Sequence, residues 1–419
     1  MIIFWAKKGR FSGKKTGTRD IAAEKRKKNV CVAFFCIFFA LFAVISLPVQ
    51  AFSQELLIRA YATFKLTAIN GDASHGEVIY KGQKINGNFS VSVSGKKISA
   101  TINGQNYSLS SISINAGGRG VFLYGKNAPR RLYRGPMTFS ADSLGNLKII
   151  NRVQTEEYLP GVLTGEIGDL KQLEAFKAQA VTARTYTLTS KNNHIKEGYN
   201  LCDSPHCQVY YGLDKIKPKA AEAVQKTKGV ILTYKGKPAA TFYHASCGGY
   251  TEDMTNVWSR NKPLPYLVSV RDGDNPRKPY CAIAPKLHWK TKIYFTGLTR
   301  IARNCGWITP QEEAAGIRIY KSGEMSGRAH ELELYTRERR MRISATDFYH
   351  CVGRQETWKA VKSCNFKIIQ GKGYVILDGK GSGHGVGMCQ WGAEGMARHG
   401  FNYKQILYHY YPGTVLKND

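Results

Sequence analysis

Apolar and polar positions alternate through LLIRAYATFKLTAI, FSVSVS, KKISATING, YSLSSISIN, GVFLYG, MTFSA and LKIINRV, with Gly, Asn and Asp between the runs. A period of two bounded by turn residues predicts short antiparallel strands, so residues 52–145 read as a β-rich module. The period then changes. Leu173, Phe176, Ala180, Val181, Ala183 and Tyr186 fall on one face of a 3.6-residue helix, and its alanines allow close packing. Residues 157–165 lead into it, and Glu166 is expected in a short helix or turn of its own, ahead of the longer one. Another helix is predicted over 218–228, with Pro218 in its first turn and Gly229 ending it. A strand from 230, a Lys235-Gly236 turn and AATFYHA follow. Strand-like runs at 291–295 and 329–335 punctuate the stretch 251–365, whose period is mixed. FKIIQGKGYVIL (366–377) reads as a hairpin. A Gly-rich turn then feeds a helix from about Met388 to Arg398, closed by Gly400. The pattern predicts an α+β fold: the β-rich N-terminal module packed with a mixed helix/strand core over 146–419, which carries a cysteine-containing insertion at about 280–365.

The first 51 residues follow a different logic. Ten Lys or Arg against two acidic residues precede the apolar run VCVAFFCIFFALFAVISLPVQA, which ends in Val49-Gln50-Ala51. A basic region, an apolar core and a small-residue ending read as a signal peptide. The run also approaches membrane-spanning length, so an uncleaved inner-membrane anchor is the alternative. Either way the expected location is the periplasm or cell envelope. The formal net charge is +31, of which 23 remain after this segment. Export argues against nucleic acid as the partner of that charge and for an anionic cell-wall polymer or anionic lipid. Eight cysteines follow the segment, and an even number in an exported chain suggests disulfides. Cys202–Cys207 and Cys351–Cys364 are local candidates among roughly a hundred sets of pairings.

Glu166 lies between Gly165 and Ile167, and a carboxyl in such partly apolar surroundings can hold a proton near neutral pH, as general acid catalysis requires. The nearby acids Glu156, Glu157, Asp169 and Glu174 offer no obvious second catalytic carboxylate, although most glycosidases use two. GKGSGHGVG lacks the ending of a phosphate loop. Its glycines instead allow close backbone approach around His384, and the neighbouring His384 and Cys389 also suggest a Cys–His nucleophile. Cys202, His206, Cys207, His244 and Cys247 are residue types that hold zinc.

Taken together, EYLPGVLTGEI (157–167), LEAFKAQAVTARTYTL (173–188), CQVYYG (207–212), the 223–253 stretch ending in FYHASCGGYTED, PYLVSVRD (265–272) and GHGVGMCQWGAEGMA (383–397) resemble the SpoIID/LytB domain family. They occur in family order over roughly 145–410. The resemblance implies an exported or anchored protein acting on peptidoglycan. It implies a lytic transglycosylase that cuts between N-acetylmuramic acid and N-acetylglucosamine, leaving 1,6-anhydromuramic ends, with Glu166 as the single acid/base. Gln179, Arg184, Tyr243, His244, Ser246, His384 and Gln390 are then candidates to hold the sugar. Other members are described as modifiers of cell-wall amidases, so a wall-binding amidase activator is the alternative. No cofactor is required. Some members carry zinc near the segment that corresponds to 244–249, which leaves zinc open. The chain departs from the family pattern after Glu166, where Ile167-Gly168-Asp169 replaces Met-Pro, and at Ser382 and Cys389-Gln390-Trp391.

Overall fold

The structure, a computed structural model, describes residues 54–259, 262–275, 277–356 and 360–418. The expected targeting segment lies outside them. Among the described residues no helix is long and apolar enough to cross a membrane.

The fold is α+β. The alternating N-terminal runs form one large sheet in which Glu55–Ala60, Leu147–Gln154, Ala128–Ala141, Ser111–Gly125, Ala68–Asp72, Asn88–Ser94, Lys97–Ile102 and Gln105–Leu109 neighbour one another in that order. All these pairings are antiparallel. Every second side chain of Glu55–Ala60 is buried, as the period of two requires. Two hairpins close through Lys81-Gly82 and Asn103-Gly104, with both residues of each pair at positive φ. That geometry matches the twist of the flanking strands. At the far edge Leu201–Cys202 joins Glu55–Ala60 in parallel. Asp203 anchors this junction: its carboxylate accepts from the Tyr61 and Ala62 amides and from the buried Arg131 guanidinium.

Two helices follow the sheet. α1 spans Thr155–Ile167 and α2 spans Leu173–Ser190. Glu166 therefore sits in the last turn of a helix of its own ahead of α2, as expected, though at thirteen residues that helix is longer than a short one. Gly161, Gly165 and Pro160 depress the helical signal of this stretch, and burial of Tyr158, Leu159, Val162 and Leu163 overrides it. α2 also departs from expectation: instead of one buried face it is buried nearly all round. Several of its polar side chains are satisfied internally; Thr185, for example, donates to the Val181 carbonyl and accepts from the Leu232 amide.

The sheet, α1, α2, the helices Gln390–Arg398 and Tyr403–Tyr410, and the strand Val230–Tyr234 share one hydrophobic core. Residues 289–377 build a second core from two three-stranded sheets and the helices Phe295–Asn304 and Ala345–Gln355. A disulfide joins these two helices through Cys305 and Cys351. It replaces the expected Cys351–Cys364 link: Cys364 carries a free thiol that donates to the Ala345 carbonyl. Far apart in sequence, Tyr243–His244 and Met388–Cys389 pair in parallel. This short ladder brings the two C-terminal motifs beside α1.

Candidate active site

α1 carries two glycines one turn apart. A Cβ on Gly161 would lie 2.6 Å from the Gly212 carbonyl oxygen, and one on Gly165 would lie 2.9 Å from Val209 Cγ1. Only hydrogen at both positions lets the 209–212 segment rest directly on the helix. The Val209 amide then donates to Glu166 Oε1 at 2.7 Å. The Tyr243 hydroxyl and the Gln390 side chain also hydrogen-bond this carboxyl, brought there by the parallel ladder.

Burial pushes the Glu166 carboxyl up to about 7, against the lowering effect of these three neutral donors. No ionic partner is among its causes. Apart from Asp272, which accepts from the Cys281 amide and the Tyr410 hydroxyl, the buried acids named here have basic partners. Asp203 faces Arg131, Glu252 faces His330, and Glu394 faces Arg398 while accepting from the Lys171 and Gln172 amides at the start of α2. Of the acids near Glu166 in sequence, Glu156 pairs with Arg184 and Glu174 with Lys177, while Glu157 and Asp169 point to solvent. Glu166 is thus a half-buried acid able to give and take a proton near neutral pH, with no second carboxylate among its partners.

The remaining candidates fall into three groups. Gln390 touches Glu166, and Gln179 accepts from Gln390 Nε2 at 3.4 Å from behind. His384 is a support: its Nδ1 accepts from the Val386 amide, and its Nε2–H donates to the Tyr243 carbonyl at 2.9 Å. Burial lowers its pKa to about 4, so the imidazole is neutral and its two nitrogens are engaged in holding Tyr243 in place. Arg184, expected to hold sugar, is instead buried: its guanidinium grips Glu156 through two bonds and caps the Val230 carbonyl. His244 and Ser246 are also buried. His244 Nδ1 meets the Val386 carbonyl, and Ser246 exchanges backbone hydrogen bonds with Ser382. Sequence reasoning missed a layer behind Tyr243. Gln208 Nε2 donates to the Tyr243 hydroxyl, while Gln208 Oε1 accepts from Thr187 at 2.9 Å and from Tyr158. The only signal for it was Gln208 in CQVYYG.

The expected metal set does not come together as one group. His244 lies outside both clusters of ligand atoms, and its Nδ1 meets the Val386 carbonyl. Cys202, His206 and Cys207 gather with His194, which the sequence reading lacked. Cys202 and Cys207 are free thiols, so the expected local disulfide is absent. Cys207 Sγ lies 3.4 Å from His194 Nε2 and 3.5 Å from His206 Nδ1. Ligand atoms around a tetrahedral zinc with bonds of ~2.0–2.3 Å stand about 3.5 Å apart. His194 Nδ1 is bonded to the Glu197 carboxylate at 2.6 Å, which fixes the tautomer that turns Nε2 toward the sulfur. The donor set suits zinc, and Cys207 lies two residues before the Val209 amide that binds Glu166. Cys247 belongs to a different cluster, with Asp272, Cys281 and Cys389.

The profile of the SpoIID family, described as Stage II sporulation protein, matches residues 143–234. An uncharacterized protein of Brachyspira hyodysenteriae is 35% identical over 267 residues, covering 64% of this chain and 67% of the relative. The chain belongs to the SpoIID family. The Stage II sporulation protein D of Bacillus subtilis is 28% identical over 287 residues, 64% of this chain and 75% of the relative. The amidase enhancer of Bacillus subtilis is 30% identical over 290 residues, 62% of this chain but 40% of that longer protein. The SpoIID profile covers Glu166, Val209 and the His194 cluster, while Tyr243 and Gln390 reach the site from beyond it.

Proposed function

We propose that this SpoIID-family protein is a peptidoglycan lytic transglycosylase, cleaving the bond between N-acetylmuramic acid and N-acetylglucosamine. The observation that carries the reading is Glu166: a carboxyl with a pKa of about 7, held by neutral donors and without a carboxylate partner. Such a group suits a reaction that needs no separate protein nucleophile. Protonated Glu166 gives its proton to the glycosidic oxygen as the bond from C1 of the muramic sugar breaks. The carboxylate then takes the proton of that sugar's C6 hydroxyl, and the C6 oxygen closes on C1. The products are a free hydroxyl on the leaving sugar and a 1,6-anhydromuramic end; no water is consumed and Glu166 regains its proton.

Val209, Tyr243 and Gln390 keep the carboxyl oriented through both transfers. The His194, Cys202, His206 and Cys207 group is a fit for structural zinc, which would stiffen the loop bearing the Val209 amide. Export to the periplasm or cell envelope follows from the N-terminal pattern, and the basic charge draws the protein to anionic wall material.

The similarity to the amidase enhancer favours a second reading, a wall-binding activator of an N-acetylmuramoyl-L-alanine amidase. Mass spectrometry of products released from purified sacculi separates the two. Anhydromuramic ends, lost with Glu166→Gln, support the transglycosylase. Retained sacculus binding without glycan cleavage, in wild type and variant alike, moves the weight to the activator.

A further inference from the structure

The second ligand cluster is built from three distant parts of the chain. Cys247 follows the Tyr243–His244 strand, Cys281 lies in the single turn Tyr280–Ile283, and Cys389 ends the strand Met388–Cys389. Asp272 completes it. One ligand atom from each residue lies within 4.8 Å of the others, and all four residues are buried.

Three observations bear on what the cluster holds. The first is spacing. Cys247 Sγ and Cys281 Sγ are 3.7 Å apart, and both thiols are free. Two sulfurs of a tetrahedral site with Zn–S bonds of ~2.3 Å stand about 3.8 Å apart. The second is the hydrogen bonding of the sulfurs. Cys389 Sγ accepts from the Cys247 and Gly392 amides, each at 3.2 Å, and Cys247 Sγ accepts from the Gly249 amide at 3.3 Å. Backbone N–H groups directed at sulfur favour thiolate over thiol. Asp272 is similarly fixed, accepting from the Cys281 amide at 3.0 Å and from the Tyr410 hydroxyl.

The third observation is Arg328, which is 1% exposed. Its guanidinium donates to the Cys247 carbonyl at 2.9 Å and the Gly383 carbonyl at 3.2 Å, and it forms no ion pair among the described residues. A buried cation without an anion is costly. Three thiolates and a carboxylate around a divalent ion carry a net negative charge, which would supply the missing counter-charge.

We propose that Cys247, Asp272, Cys281 and Cys389 bind one soft divalent cation of the zinc class, with Arg328 offsetting part of the net negative charge. Sulfur ligands exclude magnesium and calcium as occupants. A disulfide would use two of the three cysteines and strand the third beside Asp272. The ion would lock the Tyr243–His244 and Met388–Cys389 ladder just beyond Tyr243 and Gln390, so the site is a positioning device for both.

The test is elemental analysis of the full chain, purified without chelator and reloaded with zinc or with cobalt(II). Cys281→Ser should lose one equivalent of metal per chain. The double variant Cys202→Ser with Cys207→Ser, which removes both thiols of the His194 cluster, should retain that equivalent together with thiolate-to-cobalt charge-transfer absorption. Unchanged metal content in Cys281→Ser overturns the proposal. So does a non-reduced peptide map that links Cys281 to Cys247 or Cys389. If Cys281→Ser does not fold, the Cys202→Ser with Cys207→Ser protein carries the decision: absence of metal-bound thiolate from its spectrum sinks the site.

Discussion

Glu166 is a stability cost as well as a candidate catalyst. Its ordinary carboxyl pKa of 4.5 is raised in the folded chain to about 7. Below pH 4.5 both folded and unfolded states are protonated and the residue costs nothing. As pH rises from 4.5 toward 7 the unfolded chain ionises first and the penalty on the folded state grows, levelling off at its full value once the folded carboxyl ionises above about 7. The full shift corresponds to roughly 3 kcal/mol, and about 2 kcal/mol after allowance for the residue's partial exposure. Glu166→Gln should therefore be more stable than wild type at pH 8, with the gap closing below pH 4.5. Thermal unfolding across that range checks it, and an equal gap at all pH values would contradict the shift. The activity profile should show the same group. The rate should fall as pH rises through about 7, because the glycosidic oxygen needs the protonated acid. The sequence made Glu166 visible through its apolar neighbours. The resemblance named Tyr243 and Gln390 as site residues, but their bonds to Glu166 were hidden because they need a parallel pairing that spans more than a third of the chain, and that of Val209 because it needs the 209–212 segment to rest on α1. The cysteines were hidden for the same reason: spacing suggested Cys202–Cys207 and Cys351–Cys364, whereas folding sorts them into a disulfide at Cys305–Cys351 and two ligand clusters.

At the scale of elements, α1 decides the site. Its glycines weaken the helix as a local structure and are needed for contact with the 209–212 segment. Gly165→Ala would place a methyl 3.0 Å from the Val209 carbonyl oxygen and push the segment away. We expect a loss of about 1–3 kcal/mol in stability. We expect activity to fall more than tenfold, on the order of the loss that a displacement of about 1 Å brings to a catalytic group. Unfolding and rate measurements on the variant test both, and unchanged activity would show that Val209 does not position Glu166. The same glycines explain why the helix is longer than the sequence suggested, since they lower local propensity while tertiary burial supports all thirteen residues. The β-strands were legible because each carries its own alternation and its own turn residues. The order of the strands in the sheet was not, since it depends on which edges meet.

The whole molecule combines two cores. The first joins the sheet to α1 and α2, and no local pattern announces that union. The second, over 289–377, contains the Cys305–Cys351 disulfide, which closes a 46-residue separation. Reduction should cost this region about 2–4 kcal/mol. Limited proteolysis with and without reductant should then cut first within 289–377, leaving the site around Glu166 intact; equal resistance under both conditions would show that the second core stands without its link.

The most direct measurement of the central claim is digestion of purified glycan strands in water enriched in heavy oxygen, with mass analysis of the new ends. Attack by the sugar's own C6 hydroxyl predicts anhydromuramic ends that contain no heavy oxygen and that vanish with Glu166→Gln. Reducing ends that each carry one heavy oxygen would show that water is the nucleophile, and would contradict a mechanism with Glu166 as its single acid/base.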